Sequence, residues 1–103
     1  MHSIEYIKNH FDDEITLGEM VRRSAMSKTN FCTIFSSITG MPFKEYLNRY
    51  RIERAAELIA AGEKVSVAGN FCGYGDFSTF YRDFKKYMAM SPSEFAKKNK
   101  AVK

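Results

Sequence analysis

The chain has 103 residues, enough for one compact domain or two very small subdomains, and its 45% hydrophobic and 15% aromatic content argues against disorder. It contains no apolar run of about 18 residues and no signal-peptide pattern, so we expect no transmembrane helix and no membrane partner. Its two cysteines lie 40 positions apart without a paired framework, and we expect reduced thiols in a cytoplasmic protein. The net charge of +4 comes entirely from lysines after position 96, because residues 1–96 hold 12 basic and 12 acidic side chains. Binding to nucleic acid would therefore require charge arranged on one side of the fold.

Helix signals recur along the chain, whereas alternating strand patterns are absent. Thr16 with Glu19 three positions later has the spacing of a capping box and predicts a short helix that stops near Ala25. Ser27 predicts the cap of a second helix, which Gly40 ends. Its apolar positions, expected to face inward, are Phe31, Ile34, Phe35 and Ile38.

A long helix is predicted from Pro42 to about Ala61. Its apolar positions span roughly half the helical circumference, which indicates burial by a bundle on each side and a linking role. In the second half, Ser66 is expected to cap a short helix and Asp76 to cap the helix that follows the turn at residues 73–75. Ser91 to Glu94 has the pattern of another capping box. The expected fold is all-α, with about seven helices.

The two halves repeat one pattern of residues at an offset of 49 positions, which is 48 upstream, where Val21 and Met26 pair with Gly69 and Tyr74. The repeated positions pair Phe31, Phe35, Ile38, Gly40 and Met41 with Phe80, Phe84, Tyr87, Ala89 and Met90. Such a repeat usually means one supersecondary unit used twice, and here the unit has the layout of a helix-turn-helix. We expect two helix-turn-helix subdomains, residues 1–41 and 63–98, a linker helix at 42–62 and a basic tail at 99–103.

The sequence resembles the DNA-binding domain of AraC/XylS-type bacterial transcription regulators over nearly its whole length. The clearest segment runs from Gly73 to Lys86, with a Gly-aromatic turn, an Asp, and then Ser, Phe, Arg and Phe-Lys-Lys. Residues 91–95 are similar to the family's closing Thr-Pro segment, and residues 40–55 to its linker helix. Some positions depart from the family pattern: Ala89 replaces a usual Gly, Gly69 a usual Ala, and Ser36 and Ser37 replace Lys or Arg.

By this resemblance, base-reading residues fall on two recognition helices near residues 27–39 and 76–88. They are Thr29, Cys32 and Thr33 in the first, and Phe77, Ser78, Tyr81 and Arg82 in the second. The first set is short and offers hydroxyl or methyl contacts, whereas Arg82 has the donors for a bidentate contact to guanine. The alternative for the first helix is a solvated face, and for Phe77 a core position. The alternative for Arg82 is a phosphate contact or an ion pair with Asp76 or Asp83.

Contacts to the DNA backbone are expected from polar side chains and from helix N-termini, whose free amides bind phosphate. The candidates are Thr16, Ser27, Lys28, Asn30, Ser36, Ser66, Lys85 and Lys86. The helix ends are expected to be caps first and DNA contacts second.

An enzyme is not expected, because His2, His10, Cys32 and Cys72 have no catalytic or metal-ligand spacing. We predict no catalytic residue, no metal and no cofactor. The resemblance implies promoter or operator DNA as the partner, with activation the commoner role and RNA polymerase a further candidate partner. Regulators of this family usually join the module to a sensor, receiver or dimerisation domain, which these 103 residues do not contain. We therefore expect either an excised C-terminal module or a stand-alone monomeric regulator. A helical protein-interaction domain without specific DNA binding is the alternative.

Overall fold

The computed structural model describes residues 2–13 and 15–100, with side-chain surroundings for residues 4–13 and 15–99. All regular structure within these ranges is helical, in seven helices: α1 (His2–His10), α2 (Leu17–Ser24), α3 (Lys28–Thr39), α4 (Phe43–Ala60), α5 (Val65–Phe71), α6 (Phe77–Met88) and α7 (Pro92–Lys100). The predicted all-α class is confirmed. Of the expected basic tail, residues 99 and 100 belong to α7, and 101–103 lie outside the described residues. No helix in the described part could span a membrane.

Polar side chains cap four of the helices at the positions that the sequence indicates. A cap satisfies backbone N–H groups that have no partner within the first helical turn. Each cap oxygen accepts a backbone N–H bond: Thr16 from Glu19 at 3.2 Å, Ser27 from Asn30 at 3.1 Å, Asp76 from Ser78 at 3.2 Å and Ser91 from Glu94 at 3.1 Å. The carboxylate of Glu94 also accepts from the N–H of Ser91 at 3.4 Å, which completes that capping box.

The prediction that Ser66 caps α5 is wrong. The helix begins at Val65 with Lys64 in the cap position and no side-chain cap bond, so Ser66 lies inside the first turn. Val65 packs against the core below α5. Burial of an apolar side chain therefore fixes the start of this helix two residues earlier than the cap pattern indicates.

Two hydrophobic clusters lie along the linker. The N-terminal cluster joins α1, α2, α3 and the first half of α4, through the buried residues Ile7, Ile15, Met20, Phe31, Phe35, Phe43 and Leu47. The C-terminal cluster joins the second half of α4 with α5 and α6, through Ile52, Ala55, Ala56, Ile59, Ala68, Cys72, Tyr74, Phe80 and Phe84, and Phe95 of α7 packs against it. The molecule is correspondingly elongated, 48 Å long and 22 Å across.

The inward stripe predicted for α3 is too wide. Phe31 and Phe35 are fully buried, but Ile34 is 40% exposed and Ile38 is 55% exposed. The two phenylalanines lie one turn apart on the same face, so the fully buried strip of this 12-residue helix is only one side chain wide. The repeated position of Ile38 in α6, Tyr87, is half-buried against the C-terminal cluster.

The linker helix α4 buries different faces in its two halves. Phe43 and Leu47 enter the N-terminal cluster, whereas Ile52, Ala55 and Ile59 enter the C-terminal cluster. At about 100° per residue, these two sets point roughly 130° apart around the helix. The broad apolar distribution seen in the sequence is therefore two narrow stripes, one for each bundle.

Candidate nucleic-acid interface

Helix α6 presents a polar face opposite its core residues. Phe80 and Phe84 are fully buried and fix the rotation of the helix about its axis. Ser78, Arg82 and Lys85 lie about 140–200° around the helix from Phe80, and all three are exposed. This face therefore offers one hydroxyl and two cations to a ligand in front of it.

Aromatic side chains border that face. Phe77 is 51% exposed and Tyr81 is 39% exposed, and their ring centroids are 6.3 Å apart. Phe77 also leans on the buried ring of Phe80 at 6.1 Å. A core position for Phe77 is therefore excluded, although one edge of its ring rests on the core.

The turn before α6 is tied to the helix by side-chain hydrogen bonds. The hydroxyl of Tyr74 donates to the Asp83 carboxylate at 3.0 Å, and that of Thr79 donates to the Asp76 carboxylate at 2.8 Å. Burial, followed by the neighbouring Asp83 charge, raises the pKa of Tyr74, so the hydroxyl stays a donor. The Thr79 hydroxyl and the N–H of Ser78 lower the pKa of Asp76 and keep the cap ionised.

Arg82 is free to reach outward from this face. None of the ion pairs in the described ranges includes it, and Asp83 is occupied by Tyr74. The alternative of an Arg82 ion pair with Asp76 or Asp83 therefore does not hold in this structure.

Helix α3 presents the equivalent face with different chemistry. Thr29, Thr33 and Ser36 are exposed opposite Phe31 and Phe35. Cys32 is half-buried and packs against the N-terminal cluster, so only part of its side chain faces outward. The remaining candidates Ser27, Lys28 and Asn30 are exposed at the start of the helix.

The charge on the two faces differs position by position. Arg82, Lys85 and Lys86 of α6 repeat Thr33, Ser36 and Ser37 of α3, at the offset of 49 positions. All six side chains are exposed. The single cation of α3, Lys28, stands where α6 has Phe77, so the positive charge of the repeated faces is concentrated on α6.

The candidate backbone contacts at helix ends are separated in the structure. Thr16 and Ser27 cap α2 and α3, and both are exposed. Ser66 is exposed in the first turn of α5 but caps nothing. The N-terminus of α2 therefore has a side-chain cap, whereas that of α5 has none.

Comparison with known proteins identifies the architecture. The sequence model of a helix-turn-helix domain family matches residues 20–98, which is most of the chain. The fold matches the C-terminal domain of AraT, a response regulator from Geobacillus stearothermophilus, with a TM-score of 0.87 and 25% identity over 94% of this chain and 82% of that one. The chain belongs to the AraC-type helix-turn-helix family.

Relatives of this AraC-type domain are regulators of transcription. The transcriptional regulatory protein HptR from Staphylococcus aureus is 28% identical over 97 residues, which cover 94% of this chain and 38% of the relative. A probable AraC family transcriptional regulator from Rhodopseudomonas palustris shares the fold, with a TM-score of 0.81 and 22% identity over 94% of this chain and 93% of that one. The chain thus spans little more than a third of the curated relatives it matches, and DNA binding in transcription regulation is the function of its family.

The sequence-based interpretation missed two parts of the AraC-type domain. The Tyr74–Asp83 bond joins the turn to the recognition helix, and Arg51 of α4 donates to backbone carbonyls after α1. The repeat gives no signal for the first, since Met26 and Ile34 stand at the equivalent positions of the first half. No local pattern marks the second. In the described residues no group of three or more His, Cys, Asp or Glu is placed to hold a metal.

Proposed function

We propose that this chain is the DNA-binding module of a bacterial transcription regulator and binds double-stranded DNA sequence-specifically. The observation that carries the proposal is the face of α6, where Ser78, Arg82 and Lys85 stand exposed opposite two fully buried phenylalanines. A helix with such a face fits the major groove, where side chains reach base edges. By likeness to the family, we propose activation rather than repression.

Helix α6 supplies the main sequence readout in this proposal. Arg82 has the donors for two hydrogen bonds to a guanine, a contact worth about 1–3 kcal/mol of discrimination. Phe77 offers its exposed ring edge to a thymine methyl, and Ser78 and Tyr81 offer hydroxyls. Lys85 and Lys86 hold phosphates and set the register of the helix on the duplex.

Helix α3 supplies a weaker second contact. Thr29, Thr33 and the outward part of Cys32 touch thymine methyls or accept single hydrogen bonds, since none can make a bidentate contact. Ser27, Lys28, Asn30 and Ser36 face the adjacent backbone, together with Thr16 at the N-terminus of α2 and Ser66 in the first turn of α5. The two subdomains, residues 1–41 and 63–98, lie on either side of the linker at 42–62 and therefore contribute unequally to DNA recognition.

The length of the linker constrains the DNA. The 18 residues of α4 span about 27 Å, whereas successive major-groove faces of straight DNA lie about 34 Å apart. We expect the duplex to bend, at a cost of a few kcal/mol, or α3 to insert only partly. Straight DNA with both helices deep in the groove would contradict this expectation.

The domain works within a larger regulator in this proposal. The missing part, a sensor, receiver or dimerisation domain, supplies the signal, and RNA polymerase is the partner through which bound protein acts on transcription. The cytoplasm is the compartment where such DNA is accessible. These assignments rest on the family and on the regulators that this chain resembles.

The deciding experiment selects bound duplexes from a random DNA library and then measures affinity at two salt concentrations. Two short motifs about one helical turn apart would show that both helices read bases. A single motif lost in Arg82→Ala would assign recognition to α6 and leave α3 as a backbone clamp. Each phosphate that the protein neutralises should contribute about −0.9 to the slope of log affinity against log salt concentration.

A helical protein-interaction domain is the second candidate. It is favoured by Val67 and Phe71 of α5, which share one helix face and are 46% and 60% exposed. No enrichment of any duplex, together with weak binding that is insensitive to salt, would favour this function and overturn the first.

A further inference from the structure

The two bundles touch at a junction beside the linker helix. Arg51 of α4 donates from Nε to the carbonyl oxygen of Phe11 at 2.7 Å and from Nη2 to that of Asp13 at 2.8 Å. Both carbonyls lie just after the end of α1, where a positive charge is favourable. Burial lowers the pKa of Arg51, yet its guanidinium remains charged and donates both of these hydrogen bonds to the backbone.

The second bundle approaches the same segment through a glycine, and the carbonyl of Phe11 is common to both contacts. A Cβ at Gly73, in the turn between α5 and α6, would lie 3.1 Å from the carbonyl oxygen of Phe11 and 3.2 Å from that of Asp12. Gly73 also has a φ of +95°, where only glycine is unstrained. The turn that leads into α6 is thus held against the segment that follows α1.

Phe11 completes the junction. Its side chain packs against both hydrophobic clusters, and its ring meets that of Tyr50 edge to face at 5.3 Å. The segment 11–13 therefore contacts the linker, the second bundle and both cores. The N-terminal bundle holds α3, and the turn at Gly73 leads directly into α6.

We propose that Arg51 and Gly73 are positioning residues that fix the orientation of α3 relative to α6, and thereby the base-pair spacing between the two half-sites. The proposal rests on the proposed DNA-binding function. Without this junction, the bundles are joined by α4 alone, whose two halves bury different faces and leave each bundle free to tilt. Neither residue touches DNA in this arrangement, so their effect passes through the angle between the helices.

The test compares Arg51→Met and Gly73→Ala with matched controls. Arg49→Met removes an exposed linker arginine whose Nε lies 3.6 Å from a carboxylate oxygen of Glu53, and no hydrogen bond or ion pair in the described residues joins Arg49 to segment 11–13. Gly62→Ala places a side chain at a φ of +107° with no atom within 4 Å, so it imposes similar backbone strain away from the junction. Arg51→Lys, which keeps a donor on a flexible stem, serves as the conservative variant should Arg51→Met fail to fold.

The first readout needs no DNA. Residual dipolar couplings of the free, folded proteins report the orientation of each bundle, and the wild type and both controls should fit one alignment tensor. Arg51→Met and Gly73→Ala should require two tensors, and Arg51→Lys should be intermediate. One shared tensor in both junction variants would overturn the proposal.

The second readout is affinity for duplexes in which the spacing between the half-sites changes by one base pair. The wild type and controls should prefer one spacing by about tenfold, and the junction variants by less than about twofold. Affinity for a duplex that carries the α6 motif alone should not change. An unchanged spacing preference in both variants would overturn the proposal. If the wild type itself shows no specific binding, the proposed function is refuted, and the alignment tensors alone test the junction.

Discussion

Helices α3 and α6 share one scaffold and differ in what they present. Each is 12 residues long, each follows a side-chain cap, and each fully buries two phenylalanines at repeated positions. Their outward faces diverge, with Thr33, Ser36 and Ser37 on α3 where α6 carries Arg82, Lys85 and Lys86. Packing constrains only the inward side chains, so a repeated unit can keep its core while its outward chemistry changes.

The largest expected effect separates the two outward faces. Arg82→Ala should weaken binding to the selected duplex by about 1–3 kcal/mol and relax specificity at one base pair, because it removes a bidentate contact. Thr33→Ala, at the repeated position, should cost less than about 1 kcal/mol, since a single hydroxyl or methyl is lost. Fluorescence anisotropy titrations at fixed salt concentration measure both.

A charge-matched control makes that comparison specific. Arg49→Ala removes one positive charge from the exposed side of the linker and should change affinity by much less than Arg82→Ala. Similar losses for Arg82→Ala and Thr33→Ala would show that the two helices share recognition equally and that the charge difference between them is incidental.

The local chemistry of the sequence predicted most of the helix boundaries. Thr16, Ser27 and Asp76 act as caps because the cap and its N–H partner lie two or three positions apart, a spacing visible in the chain. The prediction that Ser66 is a cap was wrong because burial of its neighbour Val65 determines where α5 begins. Helical periodicity alone also could not tell how wide the buried strip of α3 is.

Local sequence patterns did not predict the contacts that depend on how the chain folds back on itself. Arg51 reaches carbonyls 40 and 38 positions earlier, and nothing near it in the chain marks them. Tyr74 and Asp83 are close in sequence, yet their pairing depends on how the turn folds back onto α6. The candidate base-reading residues came from family likeness, because exposure alone does not distinguish a DNA-reading side chain from a solvated one.

The next effect concerns how each unit packs its first helix on its recognition helix. Gly69 of α5 repeats Val21 of α2, and a Cβ at Gly69 would lie 2.7 Å from the fully buried ring of Phe80. Gly69→Ala should therefore destabilise the fold by about 1–3 kcal/mol through overpacking, despite a helix-propensity gain of up to about 1 kcal/mol. Chemical denaturation measures the change.

Gly18→Ala is the control for this packing difference. Gly18 lies in α2, and a Cβ added there would meet no atom within 4 Å, so the same substitution should stabilise by up to about 1 kcal/mol. Stabilisation by Gly69→Ala would show that Phe80 can move aside and that the two units tolerate the same residues.

A smaller effect should appear where the recognition helices end. Gly40 closes α3 with a φ of +80°, and Ala89 closes α6 with a φ of +63°. Ala89→Gly should stabilise by up to about 1 kcal/mol, since relief of left-handed strain exceeds the added entropy of the unfolded chain. Gly40→Ala should destabilise by a similar amount, and thermal unfolding of both variants checks the opposite signs. Equal signs would mean that the two helix ends are not equivalent.

The smallest effect tests how closely α3 approaches DNA, with the two cysteines as probes. Cys32 lies on the outward edge of α3, whereas Cys72 is fully buried, and burial raises its pKa to about 11. The thiolate is the reactive form, so a maleimide at neutral pH should label Cys32 and spare Cys72 in the folded protein. Because α3 is expected to insert only partly, saturating specific duplex should slow labelling of Cys32 only a few-fold. Complete protection would place α3 as deep in the groove as α6, and no protection would leave recognition to α6 alone.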